Sequence, residues 1–470
     1  MNIDTTGIEY IVKKVMAEID GAEESGIALK DGELGVFNDM QNAIDAAQLA
    51  QKSYMRETLA FRRKMIAAMR AEMLKKENME TICRMAVEET GMGKYEHKLI
   101  KHELAVKKTP GVEDLVAEAW TGDEGLTLIE QSPFGVIGAS TPSTNPSETV
   151  ICNSIGMLAG GNTVVFAPHP SAKKTNALCV KLLNKAIIEA GGPENLIVTT
   201  AEPSLESANL VFSSPQINML CATGGPGVVK AVLQSGKKGI GAGAGNPPAL
   251  VDETADIEKA AKDIVDGCCF DNNLPCIAEK EVVVVVDQVA DYLMFNMKKN
   301  GAYELKDPKK IEELAATVYP DGRLSRDFVG RDAITILKAI GIDADPSVRV
   351  IMMETSKDHL FAVEELMMPI LPVVRVKDIS EGIDVAVNLE HGNRHTAIMH
   401  STNVNNLSEM AKRVQTTIFV KNGPSFAGIG VGGEGHTTFT IAGPTGEGLT
   451  SAKTFTRKRR CVLVGGFDIK

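Results

Sequence analysis

Apolar and polar positions change rhythm along this chain. Short apolar runs at residues 136–139, 164–167, 196–200 and 219–222 are each followed by helical periodicity, starting near Ser147, Ser171, Leu205 and Pro226. Strand and helix trading places in this way predict a parallel, doubly wound α/β sheet, which takes ligands at the carboxyl ends of its strands. A second alternating block starts near Ala249. It predicts a helix over 256–265, a strand over 282–286 and strands at 348–352, 371–374, 396–399 and 417–420, with 302–345 the least patterned stretch. Upstream, 38–106 is helical and charge-rich, with Asn38 as the expected cap and Ala43, Ala46, Ala47 and Ala50 on one face. Residues 1–20 are a separate amphipathic helix: Ile8, Ile11, Val12, Val15 and Ile19 line one face, Lys13, Lys14, Glu18 and Asp20 the other. Residues 21–36 read as a flexible linker. The tail is turn-rich from Gly443 and ends in a strand-like run from Cys461.

Composition narrows the class. A chain of 470 residues exceeds one ordinary core, so two or three domains are expected. No apolar run reaches the length of a membrane span and no signal peptide opens the chain, so a soluble, cytoplasmic protein is expected. The eight cysteines form no CxxC pair, which argues against zinc ribbons and a disulfide framework and for a reducing compartment; no metal site can be argued. A net charge of −11 disfavours nucleic acid as a partner, and the cluster Arg457-Lys458-Arg459-Arg460 reads as a solvated strand edge.

Candidate chemistry centres on Cys276. The turn Phe270-Asp271-Asn272-Asn273-Leu274-Pro275 delivers its thiol just before an apolar strand, and Pro275 makes the turn rigid. A cysteine so held suits a nucleophile that meets a carbonyl at a fixed angle, although most free cysteines are simply small buried hydrophobes. Thr223-Gly224-Gly225-Pro226-Gly227 follows a strand and opens a helix, where glycines let backbone N–H groups approach a phosphate or nicotinamide; an ordinary βα turn is the plainer alternative. In Thr141-Pro142-Ser143-Thr144-Asn145-Pro146, the proline after Asn145 biases it away from helix, so its amide can serve an oxyanion hole, or the segment is only a turn. The glycine run from Gly239 to Gly245 fails as a phosphate loop, because Pro247 and Pro248 stand where a helix should open; it reads as a tight interdomain crossing.

These motifs, with Phe166-Ala167-Pro168-His169-Pro170, Glu365-Leu366-Met367-Met368-Pro369, Phe419-Val420-Lys421-Asn422-Gly423-Pro424 and Pro444-Thr445-Gly446-Glu447-Gly448, stand in an order that resembles the aldehyde dehydrogenase superfamily. Within it, the chain is similar to the CoA-acylating enzymes of bacterial microcompartments, of the propanediol- and ethanolamine-utilisation type. The resemblance implies an aldehyde dehydrogenase-like α/β fold: a Rossmann-type NAD-binding domain over 37–123 and 134–246, a catalytic domain over 247–434, and oligomerisation strands at 124–133 and 443–470. It implies that Cys276 is the nucleophile and that Asn145 and the Cys276 N–H hold the oxyanion. Thr141, Pro142, Thr223, Gly224 and Gly225 would lie along NAD, and Glu365 would hold the nicotinamide ribose. Residues 1–20 resemble encapsulation peptides, which implies microcompartment shell or cargo partners, and the family's tail strands imply a homo-oligomer, dimer or tetramer.

Two positions depart from the family pattern. Alignment on Gly245 and Pro248 puts Ala242 where hydrolytic members carry the glutamate that activates water, and Ala167 replaces the usual lysine of the adenosine pocket. Losing a general base costs about two to four orders of magnitude. Hydrolysis should therefore be slow, leaving the thioester for the thiol of coenzyme A in a ping-pong reaction on propionaldehyde or acetaldehyde. The alternatives are a hydrolytic dehydrogenase giving the free acid and a catalytically inactive cargo or scaffold protein. The cation that ionises Cys276 has no signature in the sequence; Lys280 is too weakly supported to be named.

Overall fold

The computed structural model describes residues 31–467 and residue 469. The predicted helix at 1–20 and most of the linker lie outside them. Continuous apolar runs became strands buried on both faces, as parallel sheets demand: every residue of Val136–Thr141, Thr163–Pro168 and Glu281–Val285 is buried.

Six parallel strands form the first sheet, in the order Val36–Phe37, Ile197–Thr200, Thr163–Pro168, Val136–Thr141, Met219–Thr223, Lys238–Ala242. The second has seven, all parallel: Ala302–Glu304, Val350–Glu354, Ile370–Val376, Glu281–Val285, Pro248–Val251, Thr396–His400, Ile418–Lys421. The glycine run supplies the edge strand Lys238–Ala242 of the first sheet, and only 243–247 cross to the second. One apolar core joins the two, holding Ile137, Val164 and Cys221 from the first sheet with Ala249, Val282 and Val284 from the second.

The charge-rich stretch forms four helices, Met40–Tyr54, Leu59–Met73, Lys76–Thr90 and Tyr95–Lys108. The first is capped by Asp39, one residue beyond the expected Asn38: the Asp39 carboxylate accepts from Asn42 N at 3.0 Å, while Asn38 N donates to Asp31. The stretch 302–345 carries a short strand and the helices Pro308–Val318 and Ala333–Ala339.

A third, antiparallel sheet of three strands stands apart. The tail strand Thr456–Val464 pairs along its whole length with Gly125–Pro133, Cys461 opposite Leu128, and Glu118–Gly122 flanks the other side. The two segments expected to join neighbouring subunits thus meet within one chain. The tail strand, with Arg457, Lys458, Arg459 and Arg460 all exposed, forms an open edge.

Candidate active site

The turn before Cys276 is built from three consecutive left-handed residues: Asp271, Asn272 and Asn273 have φ of 50°, 55° and 67°. Asp and Asn tolerate this region better than other side chains with a Cβ, and here each side chain also pins the turn. Asp271 Oδ1 accepts from Lys94 N at 2.8 Å. Asn272 Nδ2 donates to Gly330 O and Asp332 Oδ1. Asn273 Nδ2 donates to the carbonyls of Cys268 and Glu279, both at 2.9 Å. The segment is buried, so Pro275 is only one of several constraints on it.

Cys276 is half-buried; among the other cysteines only Cys461 is exposed. Burial, and then Glu365, push its thiol up to about 12, against the pull of Lys280, the Cys276 backbone N–H and Lys101. This environment favours the neutral thiol. Lys280 Nζ is buried, donates to Asn273 Oδ1 at 2.6 Å and lies 4.0 Å from Glu365 Oε1. Burial lowers its pKa, making it a better proton acceptor than an exposed lysine. Glu365 is half-buried, its carboxyl raised by desolvation and opposed by Lys280 and by the N–H of Gly245.

Gly245 is a glycine by necessity. A Cβ there would come 2.7 Å from Cys276 O and 2.9 Å from His395 Cγ. His395, which the sequence did not single out, therefore lies on the same side of Gly245 as the Cys276 carbonyl. Burial, then Lys280, lower its pKa to about 4. Its ring is neutral, with Nδ1 2.9 Å from Thr396 Oγ1 and no partner for the buried Nε2.

Asn145 sits at the amino end of the fully buried helix Pro146–Ala159, yet its side chain makes no cap. Its Oδ1 accepts from Lys101 Nζ at 2.6 Å, and its Nδ2 reaches only Thr144 Oγ1 at 3.3 Å. The N–H needed for an oxyanion is thus almost free. Lys101 connects the two candidate catalytic residues, bonding to Asn145 and acting on the Cys276 thiol.

The candidate nucleotide residues gather at the carboxyl ends of adjacent strands. Thr141 ends one strand, with Pro142 following it, and Thr223 ends the next. Thr223 Oγ1 lies 2.8 Å from Thr440 Oγ1, which in turn donates to Asn153 in the helix of Asn145. Gly225 caps the helix Pro226–Gln234 with its backbone; an added Cβ there would meet nothing within 4 Å, and at Gly224 only Val228. Packing does not require these glycines, and the open space at a helix amino end fits a phosphate. Ala242 ends the edge strand beside Thr223, its carbonyl accepting from Gly224 N at 3.1 Å. A cavity of about 610 Å³ lined by Arg63, Arg70, Lys108 and His436 opens elsewhere and includes none of these residues.

Two parallel sheets share one core, and the chain belongs to the aldehyde dehydrogenase family, whose profile matches residues 27–311. It is 48% identical to the acetaldehyde dehydrogenase (acetylating) of Escherichia coli over 469 residues, 98% of this chain and 99% of that one. Among solved structures, the propionaldehyde dehydrogenase of Rhodopseudomonas palustris, holding CoA and an acylated cysteine, superposes with a TM-score of 0.91 at 58% identity, covering 93% of this chain and 100% of that one. The propionaldehyde dehydrogenase of the Clostridium phytofermentans fucose utilisation bacterial microcompartment matches with a TM-score of 0.91 at 56% identity over the same shares.

Proposed function

We propose that the protein is a CoA-acylating aldehyde dehydrogenase that oxidises a short aldehyde, propionaldehyde or acetaldehyde, to its acyl-CoA through a thioester on Cys276. Cys276 adds to the carbonyl as the thiolate, its proton passing to solvent while the Lys280 charge favours the ionised form. The oxyanion so formed accepts hydrogen bonds from Asn145 Nδ2 and the Cys276 N–H. NAD+, held by Thr141, Pro142, Thr223, Gly224, Gly225 and Glu365, supplies the hydride acceptor, and coenzyme A supplies the thiol that takes the acyl group. The buried, unpartnered Nε2 of His395 offers a neutral acceptor for that thiol's proton.

The observation that carries this reading is Ala242. A methyl group stands at the end of the strand beside Thr223, at the position where alignment on Gly245 and Pro248 puts the water-activating carboxylate of hydrolytic members. Hydrolysis remains a competing reading because Glu365 is close enough to act on the Cys276 thiol, but its carboxyl is engaged by Lys280 and Gly245 N–H. NADH absorbance with propionaldehyde and NAD+, with and without CoA, separates the two. Sustained turnover only with CoA is expected; equal turnover without it would make the enzyme hydrolytic.

In this reading residues 37–123 and 134–246 bind NAD and 247–434 complete the catalytic unit. The protein is a homo-oligomer, dimer or tetramer, acting inside a cytoplasmic microcompartment. The microcompartment origin of a relative and the amphipathic spacing of residues 1–20 support this. Deleting 1–20 is expected to leave the rate in solution near normal while abolishing co-packaging with shell proteins.

A further inference from the structure

The helix Tyr95–Lys108 inverts the usual arrangement of a surface helix. Lys98 and Lys101, one turn apart, are no more than 1% exposed, whereas Ile100 between them is 42% exposed. Lysines are almost never this buried unless paired, because removing an ammonium from water is costly. Here two carboxylates compensate them. Asp271 Oδ2 lies 2.9 Å from Lys98 Nζ and 2.6 Å from Lys101 Nζ, and Glu148 Oε1 lies 3.3 Å from Lys101 Nζ, with both carboxylates fully buried. Each ammonium also holds one of two successive residues of the proposed oxyanion segment: Lys98 donates to Thr144 O at 2.8 Å, and Lys101 to Asn145 Oδ1 at 2.6 Å. Against the pull of burial, Asp271 and Glu148 keep Lys101 above the ordinary lysine value, so it stays charged.

We propose that Lys101, anchored by Asp271, is a positioning residue that fixes and polarises the Asn145 amide as an oxyanion donor; this rests on the reading of Asn145 given above. An asparagine amide has nearly the same shape in its two flipped orientations, one offering N–H to the oxyanion and the other a repelling oxygen. The Asn145 side chain makes no cap hydrogen bond, and its Nδ2 has only a 3.3 Å partner, so nothing else selects the orientation. An ammonium has three donors and no acceptor. Lys101 therefore accepts only the oxygen of Asn145 as a neighbour and turns the N–H outward. Its charge draws electron density toward Oδ1 and strengthens the N–H as a donor. Asp271 lies on the turn that carries Cys276, so one buried carboxylate references both the oxyanion donor and the nucleophile.

The test is a double-mutant cycle on Lys101→Met and Asn145→Ala, read as single-turnover NADH formation with propionaldehyde in the absence of CoA. Asn145→Ala should slow this step by about 10²–10³-fold and Lys101→Met by about 10–10²-fold. The double variant should be within about threefold of Asn145→Ala alone, because Lys101 then has no amide left to direct. Losses that multiply would mean that Lys101 acts independently of Asn145 and would overturn the proposal, as would an unchanged rate in Lys101→Met. No effect of Asn145→Ala would instead overturn the reading of Asn145 itself. Should Lys101→Met not fold, the cycle is run with Lys101→Gln, which loses the charge but keeps an N–H donor, and multiplied losses there count equally against the proposal.

Discussion

Cys276 is poised rather than ionised. Because its pKa sits near 12 in the ligand-free protein, the thiolate fraction, and with it the rate of alkylation, should rise about tenfold per pH unit through pH 9. Iodoacetamide labelling of Cys276 followed by mass spectrometry checks this; a plateau near pH 7 would show an ionised resting thiol. Replacing Lys280 by Met removes the lysine with the larger pull on that thiol and should slow labelling further at every pH. Much at this scale was legible in the sequence, since Cys276, Asn145 and the Thr223 turn lie in motifs with a mechanical reason for each residue. Lys101, Lys98 and His395 were not. A lysine in a charge-rich helix reads as solvated, and only tertiary packing reveals the carboxylates that draw it inward. His395 is identified by the space that Gly245 leaves, a contact between segments 150 residues apart.

Among the elements, the turn at 271–273 sets three consecutive left-handed residues and holds each by its own side chain. Asn273→Ala would remove bonds to the carbonyls of Cys268 and Glu279 and the one accepted from Lys280, and place a poorly suited residue at φ 67°. Three buried hydrogen bonds at ~1 kcal/mol each and a left-handed alanine at ~1 kcal/mol give a loss of roughly 4 kcal/mol, checked by urea denaturation. Glu279, in the same stretch, titrates oppositely to a paired carboxylate. Burial raises it to about 7, with Ser425 opposing. In the unfolded chain it loses its proton near pH 4.5, so between about 4.5 and 7 the unfolded state binds fewer protons and stability falls as pH rises. Glu279→Gln should flatten that part of the stability curve; an equally steep decline in the variant would assign it to other groups. The periodicity that located the strands could not foresee this turn's strain, because left-handed φ angles leave no apolar pattern behind.

For the whole molecule, the alternation of strands and helices was legible because buried parallel strands are continuous apolar runs. The pairing of the tail with its own chain was not, since a strand edge carries no address. The tail strand offers Val462, Leu463 and Val464 at 54, 48 and 80% exposure, beside an unpaired edge. Val462→Glu with Val464→Lys should therefore lower the subunit number seen by light scattering while leaving the monomer folded; an unchanged mass would place the contact elsewhere.

The protonated resting state of Cys276 also bears on chemical durability. Peroxide attacks thiolates and climbs from sulfenic to irreversible sulfinic and sulfonic acids, whereas a neutral, half-buried thiol is a poor target. An idle enzyme of this design should survive storage in air without a protecting reductant, and its oxidative losses should fall on molecules caught in mid-turnover, so that ageing tracks work done more than time elapsed.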